Sequence, residues 1–285
     1  MISLLLTFLL IQDHTASIKA QIQDVIRDEE AVYSVAFKRY DIGQILKIDA
    51  DRIMHAASTM KLPVMMRLME MVEKGELALD RPITIKNRFK SIVDGSEYEI
   101  DEDSDQSLYG KVGKQLPLIE VMELMIVRSS NLATNLLVEL AGPDEIMALM
   151  KRIGARNIKV LRGVQDLKAY EAGLSNECSA AAMLTVLDAV LDPAYFSATS
   201  RKTMMDILYK QEFHDMIKPG LPKGSRVANK PGSISTVSHD AAIVDLPDGG
   251  RFLLVIFTQH PRGDHYKKRI YEVSNQISAI ISGSM

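Results

Sequence analysis

The chain has 285 residues, 47% hydrophobic and 25% charged, the proportions of a globular protein rather than a disordered one. Its net charge of -3 carries no polybasic signature, which argues against nucleic acid as a partner. The single cysteine, Cys178, excludes an internal disulfide and a cysteine-rich zinc site, and six scattered histidines without His-Glu-x-x-His spacing point to no metal centre.

Ser3 to Ile11 reads SLLLTFLLI, an apolar run too short to span a bilayer. With Ala16 and Ser17 behind it, the run suits the core of a secretory signal, and so a periplasmic or secreted protein. The lack of a basic residue before it suits the other reading, a strand or helix packed on the body. Both stay open. From Ser17 to Asp28, Ile18, Ile22, Val25 and Ile26 follow the period of an amphipathic helix. Val32 to Phe37 and Gln44 to Ile48 are β-prone and flank an Asp41-Ile42-Gly43 turn, which predicts a hairpin.

The pattern then turns helical, over Thr59 to Lys74, Leu116 to Val127 and Leu132 to Leu140. Between the first two, Arg88 to Gln106 is acidic and polar and reads as a surface excursion. Strands are predicted over Ser233 to Val237, Asp240 to Leu246 and Arg251 to Thr258, the last two joined by the turn Pro247-Asp248-Gly249-Gly250. A final helix is predicted over Tyr266 to Ile281. Hairpins at both ends predict one sheet built from both termini, with the middle as a helical lobe and a cleft between them.

Three short segments carry candidate chemistry. Ser58-Thr59-Met60-Lys61 opens a predicted helix, so Ser58 and Lys61 fall on one face, where an amine can take a hydroxyl proton. Ser-x-x-Lys is a weak signal alone, because a capping Ser followed by an exposed Lys gives the same letters. In Arg128-Ser129-Ser130-Asn131, Ser129 can relay a proton and Asn131 can bind a substrate carbonyl, while helix capping accounts for the same residue types. In Lys230-Pro231-Gly232-Ser233, Lys230 can bind a carboxylate and, as a like charge, help keep Lys61 neutral. Gly232 admits a close backbone approach, and the Ser233 N–H can serve an oxyanion hole. Lys218-Pro219-Gly220 repeats the letters but is followed by no β-prone run, and reads as a turn. Cys178 reads as a small buried thiol, the many methionines as adaptable core filler, and His239-Asp240 as a structural polar pair on a strand.

Taken in order, these motifs resemble those of the penicillin-recognising serine enzymes, and among them the class A β-lactamases. The runs GELALDRPITI, MIVRSSNLATNLLVELAGP, VANKPGSIS and AAIVDLPDGGRFLLVIFTQ extend the resemblance from Val32 to the C-terminus. It implies an α+β, β-lactamase/transpeptidase-like fold: a five-stranded antiparallel sheet flanked by helices, plus an inserted all-α domain. The boundaries expected are 1–16 as the N-terminal segment, 17–55 with 200–285 as the α/β domain, and 56–199 as the all-α domain. The implied activity is hydrolysis of cyclic amides through a Ser58 acyl-enzyme, on a β-lactam or a D-Ala-D-Ala-like peptide, by a monomer with no metal or organic cofactor. A D-Ala-D-Ala peptidase, another serine amidase or esterase, and a penicillin-binding sensor with little turnover are the alternatives. By the same resemblance Lys61 is the base, the Ser58 and Ser233 N–H groups hold the oxyanion, and Ser129 with Lys230 protonates the leaving nitrogen.

Three departures stand out. Ser130 replaces the usual Asp, and Pro231 replaces a hydroxyl residue. The loop RGVQDLKAYEAGLSNECSAAAML lacks the family's Glu-x-x-Leu-Asn. Asp166 is the carboxylate expected to activate water there, with Glu171 and Gln165 nearby; the other reading of Asp166 is a cap on a short helix over Leu167 to Glu171.

Overall fold

A computed structural model describes residues 2–285, with side chains from His14 onward. Helix α1 runs over Ile2–Ile26, and most of the 1–16 segment read as leader or packed element lies outside the residues whose side chains are described. Ile18 and Ile22, two positions of the predicted apolar stripe, are fully buried. They join a cluster with Ile270, Val273 and Ile277 of the C-terminal helix α9 (Asp264–Gly283). Among the described residues no helix is long and apolar enough to cross a membrane.

The main sheet contains β1 (Val32–Arg39), β2 (Ile45–Ile48), β3 (Arg226–Ile234), β4 (Val237–Asp245) and β5 (Arg251–Gln259). Its order is β3-β4-β5-β1-β2 and every pairing is antiparallel, so both ends of the chain meet in one sheet. Side chains alternate between its faces. Ala242, Val244, Phe252, Leu254 and Ile256 pack with the α1–α9 layer. Ala241, Ile243, Leu253, Val255 and Phe257 pack with the helical lobe on the other side. Burial on both faces explains why Ala241 to Val244 of β4 and Phe252 to Phe257 of β5 read as continuous apolar runs.

The expected strand Ser233 to Val237 is corrected. β3 starts at Arg226 and ends at Ile234, Ser235 and Thr236 make the turn, and Val237 already belongs to β4. Pro231 lacks the N–H that an interior strand needs, and it is tolerated because β3 is an edge strand.

The lobe is organised around α2 (Lys61–Glu73), whose residues from Lys61 to Glu70 are all buried. Around it pack α3 (Leu118–Val127), α4 (Asn131–Ala141), α5 (Pro143–Arg152), α7 (Ala180–Leu191) and α8 (Ala198–Tyr209). Met60, Met65, Met66 and Met69 fill this core. The stretch Arg88 to Gln106 is mostly exposed, as a surface excursion should be, but Phe89, Ile100 and Asp105 are buried and anchor it against the start of α4.

Candidate active site

Ser58 lies in a 3-10 turn, Ala57–Met60, that leads straight into α2 at Lys61. The turn repeats every three residues, which stacks positions 58 and 61 on one edge. Ala57 has φ +46°, and its N–H donates to His55 Nδ1 at 3.0 Å. His239 ties the short strand Ile53–His55 to the sheet: its Nε2–H donates to the His55 carbonyl at 2.9 Å, and its Nδ1 accepts from Thr258 N at 3.1 Å. Burial pushes the His239 pKa down to about 4, so the ring stays neutral and stacked on Phe257. His239, one member of the polar pair read from the sequence, thus braces the short strand Ile53–His55 that enters the Ser58 turn.

Lys61 is fully buried at the end of that turn. Its Nζ donates to the Ser129 carbonyl at 2.5 Å, and lies 3.1 Å from Ser129 Oγ and 3.2 Å from Asn131 Oδ1. Burial drives its pKa from 10.5 to about 7, against an upward pull from the Asp103 carboxylate. Lys230, also fully buried, approaches from β3 with its Nζ 3.0 Å from Ser129 Oγ and 2.9 Å from the Pro231 carbonyl. Burial and then the neighbouring Lys61 hold its pKa well below the ordinary lysine range, and Asp240 pulls the other way. Ser129 Oγ therefore sits between two amines. A hydroxyl can accept from one and donate to the other only if one amine is neutral.

The remaining geometry is set by backbone. A Cβ built on Gly232 would stand 2.8 Å from Ser58 N and 2.9 Å from Thr59 N, so β3 runs directly against the Ser58 turn. Ser233 follows on the open side and lines the cleft. Asn131 is fixed by Lys61 on its carbonyl and by the Glu102 carbonyl, which its Nδ2 reaches at 3.0 Å. A second amide proton remains for a substrate. The whole cleft has a volume of about 650 Å³. Five non-glycine residues with positive φ occur among the described residues, and three of them, Ala57, Ser129 and Gln165, line this cleft. Each such conformation costs roughly 1–2 kcal/mol, and strain of this kind concentrates at functional sites.

The loop expected to supply a water-activating carboxylate is arranged otherwise. Asn135 clamps the Val164 backbone from both sides, accepting from its N at 2.6 Å and donating to its carbonyl at 3.0 Å. Gln165 then turns through φ +60°. Val164 and Gln165 line the cleft, whereas Asp166 does not. Asp166 is buried and caps α6 (Leu167–Glu171): Oδ1 accepts from Ala169 N at 3.1 Å and Ser91 Oγ at 2.9 Å, and Oδ2 from Ile92 N at 3.0 Å. Of the two readings of Asp166, these three hydrogen bonds match the helix cap, and they hold the carboxylate outside the cleft lining. Glu171 is exposed and lies outside the cleft lining. Asp166→Ala is expected to lower stability by about 1–2 kcal/mol, as loss of a cap does, with no change in the lifetime of an adduct on Ser58. Urea unfolding and mass spectrometry of the adduct read the two effects separately.

The structure therefore brings Ser58, Ser129, Asn131, Gly232 and Ser233 into one cleft, sets the buried Lys61 and Lys230 against Ser129 behind its lining, and leaves Asp166 outside it. Sequence reasoning missed Asp103, Val164 and the His55–His239 brace. Asp103 carries no local sequence signal, since the residues that it holds, Asn131 and Leu132, belong to a distant segment.

A two-lobed α+β fold with a serine and two buried lysines converging on one hydroxyl defines the class of serine β-lactamase-like hydrolases. The model of the "Beta-lactamase enzyme family" matches residues 17–284, and the chain belongs to that family. The β-lactamase VEB-1 of Pseudomonas aeruginosa is 21% identical over 274 residues, covering 90% of this chain and 87% of its own. The extended-spectrum β-lactamase PER-1 of the same organism is 23% identical, covering 85% of this chain and 79% of its own. Among solved structures, PBP-A superposes with a TM-score of 0.81 at 26% identity, over 94% of this chain and 95% of its own. The TLA-1 extended-spectrum β-lactamase superposes with a TM-score of 0.81 at 19% identity, over 94% and 99% of the two chains, a likeness of fold.

Proposed function

We propose that this protein opens the amide of a β-lactam, or of a D-Ala-D-Ala-like peptide, by forming an acyl-enzyme on Ser58. The observation that carries the reading is the buried Lys61 amine, driven toward neutrality, three residues from Ser58 and bonded to Ser129. Neutral Lys61 accepts the Ser58 proton as Oγ attacks the carbonyl carbon. The Ser58 and Ser233 N–H groups stabilise the oxyanion. As the C–N bond breaks, Ser129 Oγ gives its proton to the nitrogen and is resupplied from the lysines on either side. No step calls for a metal or organic cofactor, and the machinery lies within one chain. Acylation needs the Lys61 base form, so its rate is expected to rise with pH through about 7.

A specific observation favours slow release of the acyl group. The two residues of the 162–171 loop that line the cleft, Val164 and Gln165, cannot take a proton from water. A single-residue mutant of PBP-A has been solved as an acyl-enzyme complex with penicillin G, which makes that drug the natural first probe. A penicillin-binding protein with little turnover is the second reading that this loop supports.

Labelled penicillin G added to the wild type and to Ser58→Ala tests the assignment, with label expected on the wild type alone; equal labelling would reject it. Lys230→Ala is expected to weaken capture of carboxylate-bearing lactams by about 1.5–3 kcal/mol, the worth of a hydrogen bond to a charged group. Lys218→Ala, in an exposed turn, should leave capture unchanged. Acylation rates of the two variants decide it, and the reverse ranking would mean that Lys218 serves the substrate.

A further inference from the structure

We infer that Asp103 is a positioning residue that supplies, from a separate loop, the carboxylate missing at position 130. Ser130 stands where the resembling enzymes carry Asp, at the N-cap of α4 between the proton-relaying Ser129 and the substrate-binding Asn131. A helix N-terminus favours a negative charge and leaves backbone N–H groups to be satisfied. A serine hydroxyl meets one of these needs, since Ser130 Oγ accepts from Ala133 N at 3.2 Å. Asp103 meets the others. Its Oδ1 accepts from Asn131 N at 2.8 Å, and its Oδ2 accepts from Leu132 N at 2.9 Å and from Ser130 Oγ at 3.2 Å. Tyr109 OH at 3.2 Å and Asp105 N at 3.2 Å complete its shell.

The consequence reaches the reacting atoms through Ser129. Ser129 holds φ +57° immediately before this cap, with Oγ between the two lysines. The fixed carboxylate and its five donors hold that strained residue in place. Asp103 is also the charge that favours protonated Lys61, opposed by the burial of the amine. Removing the Asp103 charge lets Lys61 lose its proton at lower pH.

The proposal rests on Ser58 acylation, and its test keeps the two separable. The wild type, Asp103→Asn, Ser130→Asp and the double variant are compared by penicillin acylation rate across pH and by thermal unfolding. Asp103→Asn is expected to slow acylation at least tenfold and move the acid limb of the pH profile to lower pH. Ser130→Asp alone should also be slow and less stable, because two carboxylates then crowd one helix end. The double variant has a single carboxylate again and should return to within about threefold of the wild type, with the limb restored and a melting temperature above both single variants. Additive losses, or an unmoved limb in Asp103→Asn, would overturn the proposal. Should Asp103→Asn not fold, recovery of a folded, acylating double variant supports the exchange, and an unfolded double variant refutes it. A wild type that takes no label defeats the acylation reading instead, and the melting temperatures still decide whether 103 and 130 are interchangeable.

Discussion

Val164→Glu is expected to shorten the life of a penicillin adduct on Ser58 by about 10²-fold or more, because general-base catalysis typically contributes 10²–10⁴-fold. The position is fixed before any substrate arrives: Asn135 holds both the N–H and the carbonyl of Val164. Its side chain is half-buried and lines the same cleft as Ser58. A carboxylate there faces the ester, whereas Asp166, two residues on, spends its oxygens on Ser91, Ile92 and Ala169. Acylation should change little, since Lys61 and Ser129 lie on other elements. The measurement is decay of the adduct mass after free penicillin is removed. An unchanged lifetime would mean that the loop at this position does not reach the water that attacks the ester.

Gly232→Val should slow acylation by about 10²–10³-fold, the range lost with an oxyanion donor. A Cβ at 232 meets backbone on the far side, Ser58 N at 2.8 Å and Thr59 N at 2.9 Å, with the Ala57 Cβ at 3.2 Å. No flexible side chain can yield there, so β3 and the Ser58 turn must separate. That movement pulls the Ser58 and Ser233 N–H groups apart while leaving Ser58 and Lys61 on their own turn. Initial rates of labelling decide it. A variant that acylates at the wild-type rate would show that the oxyanion is held elsewhere.

The difference between what was legible in the sequence and what was not follows the range of the interactions. Ser58 and Lys61 are close because a single helical turn puts them there, and local spacing carries that information. The β4–β5 hairpin announced itself through two-sided burial and a Pro-Asp-Gly-Gly turn. β3 was half hidden, since Asn229, Lys230 and Pro231 break the β-prone pattern at the residues the site uses. Asp103 was illegible as a site residue because its partners Asn131 and Leu132 lie far along the chain and its neighbourhood is acidic like any solvated loop. Asp166 was misplaced for a related reason. The turn at Gln165 and the clamp from Asn135 decide which residue of the loop faces the cleft, and both depend on tertiary contact. Charge in that loop could be counted from the sequence, but its direction could not.

The most direct test of Ser58 acylation is an intact-mass time course of the wild-type protein with penicillin G. The expected result is a gain of the whole penicillin mass on the peptide bearing Ser58, absent from Ser58→Ala and persisting after the drug is removed. An adduct mapped to another residue, or unmodified protein beside intact penicillin throughout, would contradict the account. Rapid consumption of penicillin with no lasting adduct would contradict slow release and direct attention to Glu102 and Asp215, the exposed carboxylates that line the cleft.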